Sequence, residues 1–111
     1  MSENPSPQAF LSSTVDRVNA RADKFAGINW TMAYDFTADD NGTWYFRIVD
    51  GVAQPVVAGV HEAPTVTVSG TYAVFFDVMT GKSNVAVAFM TGKLKSKGDN
   101  KAGQQFAKMM E

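Results

Sequence analysis

The first hydrophobic positions of the chain recur at alternating spacings of four and three residues, with charged residues between them. This period places them on one side of a helix. It predicts an amphipathic helix of about five turns, which follows a polar leader at residues 1–7 and ends at Gly27. Residues 8–111 are expected to form a single domain. The residues that define the helix are Leu11, Val15, Val18, Ala22 and Phe25.

The pattern then changes to alternation. Large side chains from Ile28 to Phe36 alternate with smaller ones, which predicts a half-buried strand with one face of large side chains. A turn at 38–42 leads into a second strand containing Trp44 and Phe46. The pair Asp50-Gly51 then indicates a hairpin. Further strands are predicted at 52–57, where Pro55 indicates an edge or a bulge, and at 65–68.

The last third predicts two short helices and a lysine-rich strand. The string Met-Thr-Gly-Lys occurs at 79–82 and again at 90–93. We expect each glycine to end a helix in the left-handed conformation and each methionine to point into the interior. An exposed strand at 93–97 precedes a final helix that carries Ala102, Phe106 and Met109. This order predicts an α+β domain, with a mainly antiparallel sheet and helices on one face.

The Gly-Lys-Ser at 81–83 resembles the end of a phosphate-binding loop, but its spacing excludes that site. Such a loop needs a glycine five positions before the Gly-Lys pair, and Phe76 stands there. The segment also follows a predicted helix instead of leading from a strand into one. We therefore expect no nucleotide cofactor.

The sequence contains few side chains suited to metal binding or catalysis. His61 is the only imidazole, and the acids Asp35, Asp39, Asp40 and Asp50 lack the regular spacing of a calcium loop. The absence of cysteine removes disulfides, thiolate metal sites and a cysteine nucleophile. An enzyme would need His61 paired with an acid, whereas a lone loop histidine is more often a surface group. The expectation is a protein that is not an enzyme and holds no metal.

Composition and charge narrow the class of partner. The 111 residues are 45% hydrophobic with a net charge of −1, which argues against nucleic acid. Six of the ten basic residues lie in the last third, where they form either a solvated edge or a patch that docks on membranes. Nothing in the sequence resembles a secretory signal or a membrane span, so a cytoplasmic protein is expected. The lysines of the docking hypothesis are Lys93, Lys95 and Lys97.

Three segments of the C-terminal half resemble sterol carrier protein domains, also called non-specific lipid-transfer proteins. They are Thr65 to Ser69, Phe76 to Lys82, and Ala88 to Lys95 with Lys97-Gly98-Asp99. The resemblance implies a five-stranded sheet covered on one side by helices around an apolar tunnel, which holds a fatty acid, acyl-coenzyme A, phospholipid or sterol. Ser96 departs from the family, which usually has an apolar residue there, and this favours a polar-headed ligand or a narrower tunnel.

The predicted function is therefore non-catalytic lipid binding or transfer. Six methionines and thirteen aromatic residues supply apolar side chains that adapt to irregular cavities. An accessory or dimerisation module of the same fold, without a usable cavity, is the alternative, and the oligomeric state stays open. The expected lipid-binding residues are Trp30, Met32, Trp44, Phe46, Phe75, Phe76, Met79, Phe89, Met90, Phe106, Met109 and Met110.

Overall fold

The computed structural model describes residues 5–109, apart from the side chain of Ala107. The helices are α1 (Pro7–Asn19), α2 (Ala22–Phe25), α3 (Tyr72–Met79), α4 (Val85–Met90) and α5 (Asn100–Met109). The strands are β1 (Trp30–Asp35), β2 (Thr43–Val49), β3 (Val52–Ala53), β4 (Val57–Ala58), β5 (Val66–Gly70) and β6 (Leu94–Gly98). A short 3-10 turn at Thr37–Asp39 joins β1 to the loop before β2. The α+β class is confirmed.

The strands form one mixed sheet in the order β3-β2-β1-β5-β6. Both β3 and β4 pair with β2, on either side of Pro55, so they share one edge of the sheet. The proline lies at the interruption between them, as expected for a residue that lacks a backbone N–H. Only the central pair, β1 with β5, is parallel; the other pairings are antiparallel.

The first helix is shorter than its periodicity predicted. It ends at Asn19, and Arg21 leaves helical geometry before the single turn of α2 begins. Asn19, the last residue of α1, is attached to the sheet, because its side-chain amide forms hydrogen bonds to both the carbonyl oxygen and the N–H of Ala53 in β3. Gly27 lies beyond α2 at a φ of +78°, the left-handed position expected of a helix-ending glycine.

The central strand β1 is buried on both faces, so the prediction of a half-buried strand was wrong. Met32 and Tyr34 point toward the helices, while Thr31 and Ala33 on the other face are also buried. The register places Arg47 beside Thr31 and Tyr45 beside Ala33. The central position of the strand thus shields even its small outer residues.

The start of the described chain is attached to the domain. Pro7 is buried at the first turn of α1, and the hydroxyl of Ser6 accepts a hydrogen bond from the Ala9 N–H. The Tyr72 hydroxyl donates a hydrogen bond to the carbonyl oxygen of Pro5 at 2.6 Å. Burial raises the pKa of Tyr72 to about 12, so the hydroxyl keeps its proton. Residues 5–7 of the predicted leader therefore contact the body of the protein.

Candidate functional site

The helices cover one face of the sheet, which we call the inner face. Strand register places Trp44, Tyr34, Val68 and Ser96 in one row across it, because directly paired residues point to the same side. Tyr34 is buried, Trp44 and Val68 are half-buried, and Ser96 is exposed. The helical cover is therefore closed over Tyr34 and opens toward the β6 edge.

Aromatic side chains fill the space between the inner face and the helices. Phe10 of α1 packs edge-on against Phe75 and Phe76 of α3, with ring centroids 6.0 and 5.0 Å apart. Phe75 also lies 5.2 Å from Tyr34 of β1. Burial raises the pKa of the Tyr34 hydroxyl well above its usual value, so this ring stays uncharged. The interior is a continuous apolar contact network.

Most of the predicted lipid-binding residues border this interior. Four are buried in the core cluster, and four more are partly buried against it. Met110 lies outside the described residues. The buried four are Met32, Phe46, Phe75 and Phe106, and the partly buried four are Trp30, Trp44, Phe76 and Met109. Whether these residues contact a lipid remains a prediction.

The remaining three residues lie on the surface. Met79 is 39% exposed, Phe89 38% and Met90 85%. The expectation that both methionines of the repeated motif point inward was therefore wrong. Met90 is exposed because the short α4 packs against the protein through Ala88, while its other side chains stay exposed. Met79 is the last residue of α3. The glycines behave as expected, since Gly81 and Gly92 follow the two helices with φ of +83° and +76°.

Two lysines of the docking hypothesis lie on the outer face of the sheet, and the third lies in a loop. Lys93 lies in the loop after α4, whereas Lys95 and Lys97 alternate along β6 with Leu94 and Ser96 and so point to the outer face. Lys93 and Lys95 both border an open cavity of about 330 Å³ at the end of β1 and β5. The other lining residues are Asp35, Thr37, Ala38, Ser69, Gly70, Thr71 and Gly92.

Two acids around the turn after β1, Asp35 and Asp39, accept hydrogen bonds from backbone N–H groups and so stabilise the backbone. The Thr37 hydroxyl and N–H both donate to Asp35 and hold the pKa of that carboxyl below its usual value. Asp39 accepts hydrogen bonds from the N–H groups of Tyr72 and Ala73, at 3.1 and 3.3 Å. Partial burial opposes its charge, but its hydrogen bonds outweigh that effect and lower its pKa. Sequence analysis missed this contact because 33 residues separate Asp39 from Tyr72.

The His61 side chain is held by a hydrogen bond and by a ring contact. Its Nδ1 accepts a hydrogen bond from the Ala63 N–H at 3.1 Å, and its ring packs edge-on against Tyr45 with centroids 5.1 Å apart. Across residues 5–109, no group of three or more His, Cys, Asp or Glu side chains is placed to hold a metal ion. No helix in the same range is long and apolar enough to cross a membrane.

A second, smaller cavity of about 120 Å³ lies at the other end of the β1–β2 pair. Of the predicted lipid-binding residues, only Trp30 borders either of these two cavities. The described side chains of the inner face are instead packed against one another. Any ligand placed there must share this space with the aromatic rings.

Solved structures of several proteins share the fold. A double mutant of the sec-alkyl sulfatase PisA1 matches with a TM-score of 0.83 at 23% identity, over 95% of this chain and 16% of that chain. Sterol carrier protein 2 from Yarrowia lipolytica, in its apo form, matches with a TM-score of 0.68 at 17% identity, over 98% and 93%. The ubiquinone synthesis protein UbiJ-SCP2 gives 0.68 at 12% identity, over 93% and 91%.

The sequence comparison agrees with the fold. No curated protein sequence matches this chain. The family model described as the SCP-2 sterol transfer family matches residues 11–111, which include every described element from the second turn of α1 onward. The protein belongs to the SCP-2 sterol transfer family.

Proposed function

We propose that the protein binds a small apolar ligand between its inner sheet face and its C-terminal helices, and transfers it without chemical change. The ligand classes are fatty acid, acyl-coenzyme A, phospholipid and sterol. The observation that carries the proposal is the row Tyr34, Val68 and Ser96, in which an apolar interior reaches an exposed polar residue at the β6 edge. Membership of the SCP-2 sterol transfer family supports a small lipid as the ligand.

Burial energy is sufficient for this task. Each methylene group that leaves water contributes about 0.8 kcal/mol, so a chain of about ten methylenes retains several kcal/mol after ordering costs. The interior is filled by side chains, so uptake needs a helix to move. The lightly anchored elements are α4, held by Ala88, and α5, held by Ala102, Phe106 and the half-buried Met109.

Ser96 sets the polarity of the proposed entrance. Its hydroxyl donates to the side-chain oxygen of Asn100 at 2.9 Å, which connects β6 to the first turn of α5. Both groups are exposed and can instead bond a carboxylate, phosphate ester or hydroxyl at the end of an apolar chain. A ligand with a polar head is therefore favoured over a fully apolar one.

The test compares two tryptophans on neighbouring positions of β6. Ser96→Trp places a large ring over the inner face, whereas Lys97→Trp places the same ring on the outer face. We expect Ser96→Trp to weaken binding of a fluorescent fatty acid at least about tenfold, and Lys97→Trp to bind like the parent. Equal binding by both variants would contradict the proposal. So would the combined absence of lipid in native mass spectra and of any binding in the titration with the fluorescent fatty acid.

A second candidate function is an accessory or dimerisation module without a ligand cavity. One observation favours it: the chain covers only 16% of the PisA1 chain that it resembles, so this fold can occur as part of a larger protein. The packed aromatic interior agrees with it. In that case both tryptophan variants behave alike, and a partner or second copy covers an apolar surface.

A further inference from the structure

The helix α4 is apolar on every side, yet it is almost unburied. Its sequence is Val-Ala-Val-Ala-Phe-Met, and only Ala88 is buried. A helix that is apolar all round normally lies inside a protein or a membrane. Together with Met79 at the end of α3, α4 presents what we call the α4 patch. It comprises Met79, Val85, Val87, Phe89 and Met90, all among the exposed large hydrophobic residues.

The shape of the α4 patch favours a deformable partner, such as the interface of a bilayer. Val85 and Val87 lie about 200° apart around the helix axis, and both are exposed, so α4 projects from the surface. A projecting helix cannot be covered by one flat protein surface. The interface of a bilayer, in contrast, can surround it from three sides.

The charges on either side of α4 favour an anionic bilayer. Lys82 lies three residues before α4 and Lys93 three residues after it, so a lysine flanks each end. Neither side chain bonds or pairs with any other residue in the part of the chain that the structure describes. Lysines beside an apolar segment can extend to lipid headgroups while their stems stay in the apolar region.

The distribution of charge along the sequence also favours an anionic partner. Residues 78–111 contain six lysines against the acids Asp99 and Glu111, whereas residues 1–77 contain nine acids and four basic residues. The C-terminal segment that carries α4 therefore has a net positive charge, which favours contact with an anionic surface.

From this geometry we infer that α4 inserts into the surface of an anionic phospholipid bilayer, with Lys82 and Lys93 at the headgroups. The inference rests on the proposed transfer function for its purpose only. Vesicle binding by protein stripped of ligand can be measured apart from ligand binding, so the two can fail independently. Lys95 and Lys97, which point to the outer sheet face, contribute to long-range attraction but not to the contact itself.

The absence of cysteine permits a direct test, because an introduced cysteine is the only one to label. Met90→Cys and Val60→Cys carry the same polarity-sensitive dye at two matched sites, 85% and 81% exposed, with Val60 in the loop after β4. With vesicles of equimolar phosphatidylcholine and phosphatidylserine, we expect a blue shift at position 90 only. Phosphatidylcholine alone should give a much weaker change.

Charge reversal provides the second arm. Lys82→Glu with Lys93→Glu should weaken binding to the anionic vesicles at least about tenfold, and clearly more than Lys95→Glu with Lys97→Glu, which changes the net charge equally. Circular dichroism and thermal unfolding should match the parent in all variants.

Three results would overturn the inference. The first is equal blue shifts at positions 60 and 90, and the second is equal effects of the two lysine pairs. The third is a shift at position 90 that needs no lipid and grows with protein concentration, which would show that a second copy covers α4.

Discussion

The side-chain amide of Asn19 pairs with the backbone of Ala53 through two hydrogen bonds. Nδ2 donates to the Ala53 carbonyl oxygen at 3.1 Å, and Oδ1 accepts from the Ala53 N–H at 2.9 Å. One residue at the end of α1 thereby satisfies both backbone groups of a residue on the edge strand. This contact attaches the end of α1 to the sheet.

Removing that amide should destabilise the protein more than its position at the surface suggests. Asn19→Ala leaves the Ala53 backbone without its partners, at a cost of about 1 to 3 kcal/mol. The measurement is the free energy of unfolding in urea. Ser12→Ala, an exposed position on the same helix, serves as the control and should change it by less than about 0.5 kcal/mol. Equal effects would show that the pairing is not stabilising.

Asp39 should make the stability depend on acid pH. Its folded pKa lies below the usual value, so its contribution is present above about pH 4, the pKa of an unfolded aspartate, and is lost as the pH falls through the folded value. Asp39→Asn leaves one acceptor oxygen for the N–H groups of Tyr72 and Ala73, and removes a negative charge from the start of α3.

We expect Asp39→Asn to cost about 1 kcal/mol at pH 7. The difference from the parent should shrink as the pH is lowered below about 4. Urea unfolding at a series of pH values measures both. Asp40→Asn is the matched control, because its left-handed φ of +61° is one that asparagine adopts. A pH-independent loss would contradict the prediction.

Gly70 is required by close contact between β5 and the chain before β6. A Cβ at this position would lie 2.6 Å from the Lys93 carbonyl oxygen and 2.8 Å from a Leu94 methyl carbon. Gly59 also has positive φ, but a Cβ there would meet nothing within 4 Å. Gly70→Ala should therefore cost about 2 kcal/mol or more and Gly59→Ala about 1 kcal/mol, measured by thermal unfolding. Equal losses would show that backbone strain alone matters.

Phe89 of α4 and Phe106 of α5 should differ sharply in their contribution to stability. Phe106 is buried, with ring centroids 6.0 Å from Phe25 and 6.2 Å from Phe46, whereas Phe89 lies in the α4 patch. Phe106→Ala should lower the free energy of unfolding by about 3 to 5 kcal/mol, and Phe89→Ala by less than about 1 kcal/mol. A large loss from Phe89→Ala would mean that α4 packs against the domain.

Local patterns predicted most of the fold. Alternation located β1 and β2, the pair Asp50-Gly51 located the hairpin, and the glycines at 81 and 92 marked the ends of α3 and α4. Each of these signals depends on neighbouring residues in the sequence. The same is true of the C-terminal motifs on which the family resemblance rested.

Contacts between distant segments could not be predicted in this way. The Asn19 and Asp39 side chains bond backbone groups more than 30 residues away, and neither contact has a local signature. The inward direction assigned to Met79 and Met90 was wrong because periodicity identifies the sides of a helix, but it does not say how far the helix projects. For the site, the sequence predicted an apolar interior, whereas the exposure of α4 required coordinates.

The parallel pairing of β1 with β5 also has a consequence for how the molecule forms. Met32 lies opposite Val66, so the centre of the sheet cannot assemble until the whole intervening hairpin and loop have been accommodated. The hairpin of β1 and β2 needs only local contacts and can form early. We expect the β5–β6 half, which contains α3 and α4 between its strands, to dock against this hairpin in a later step.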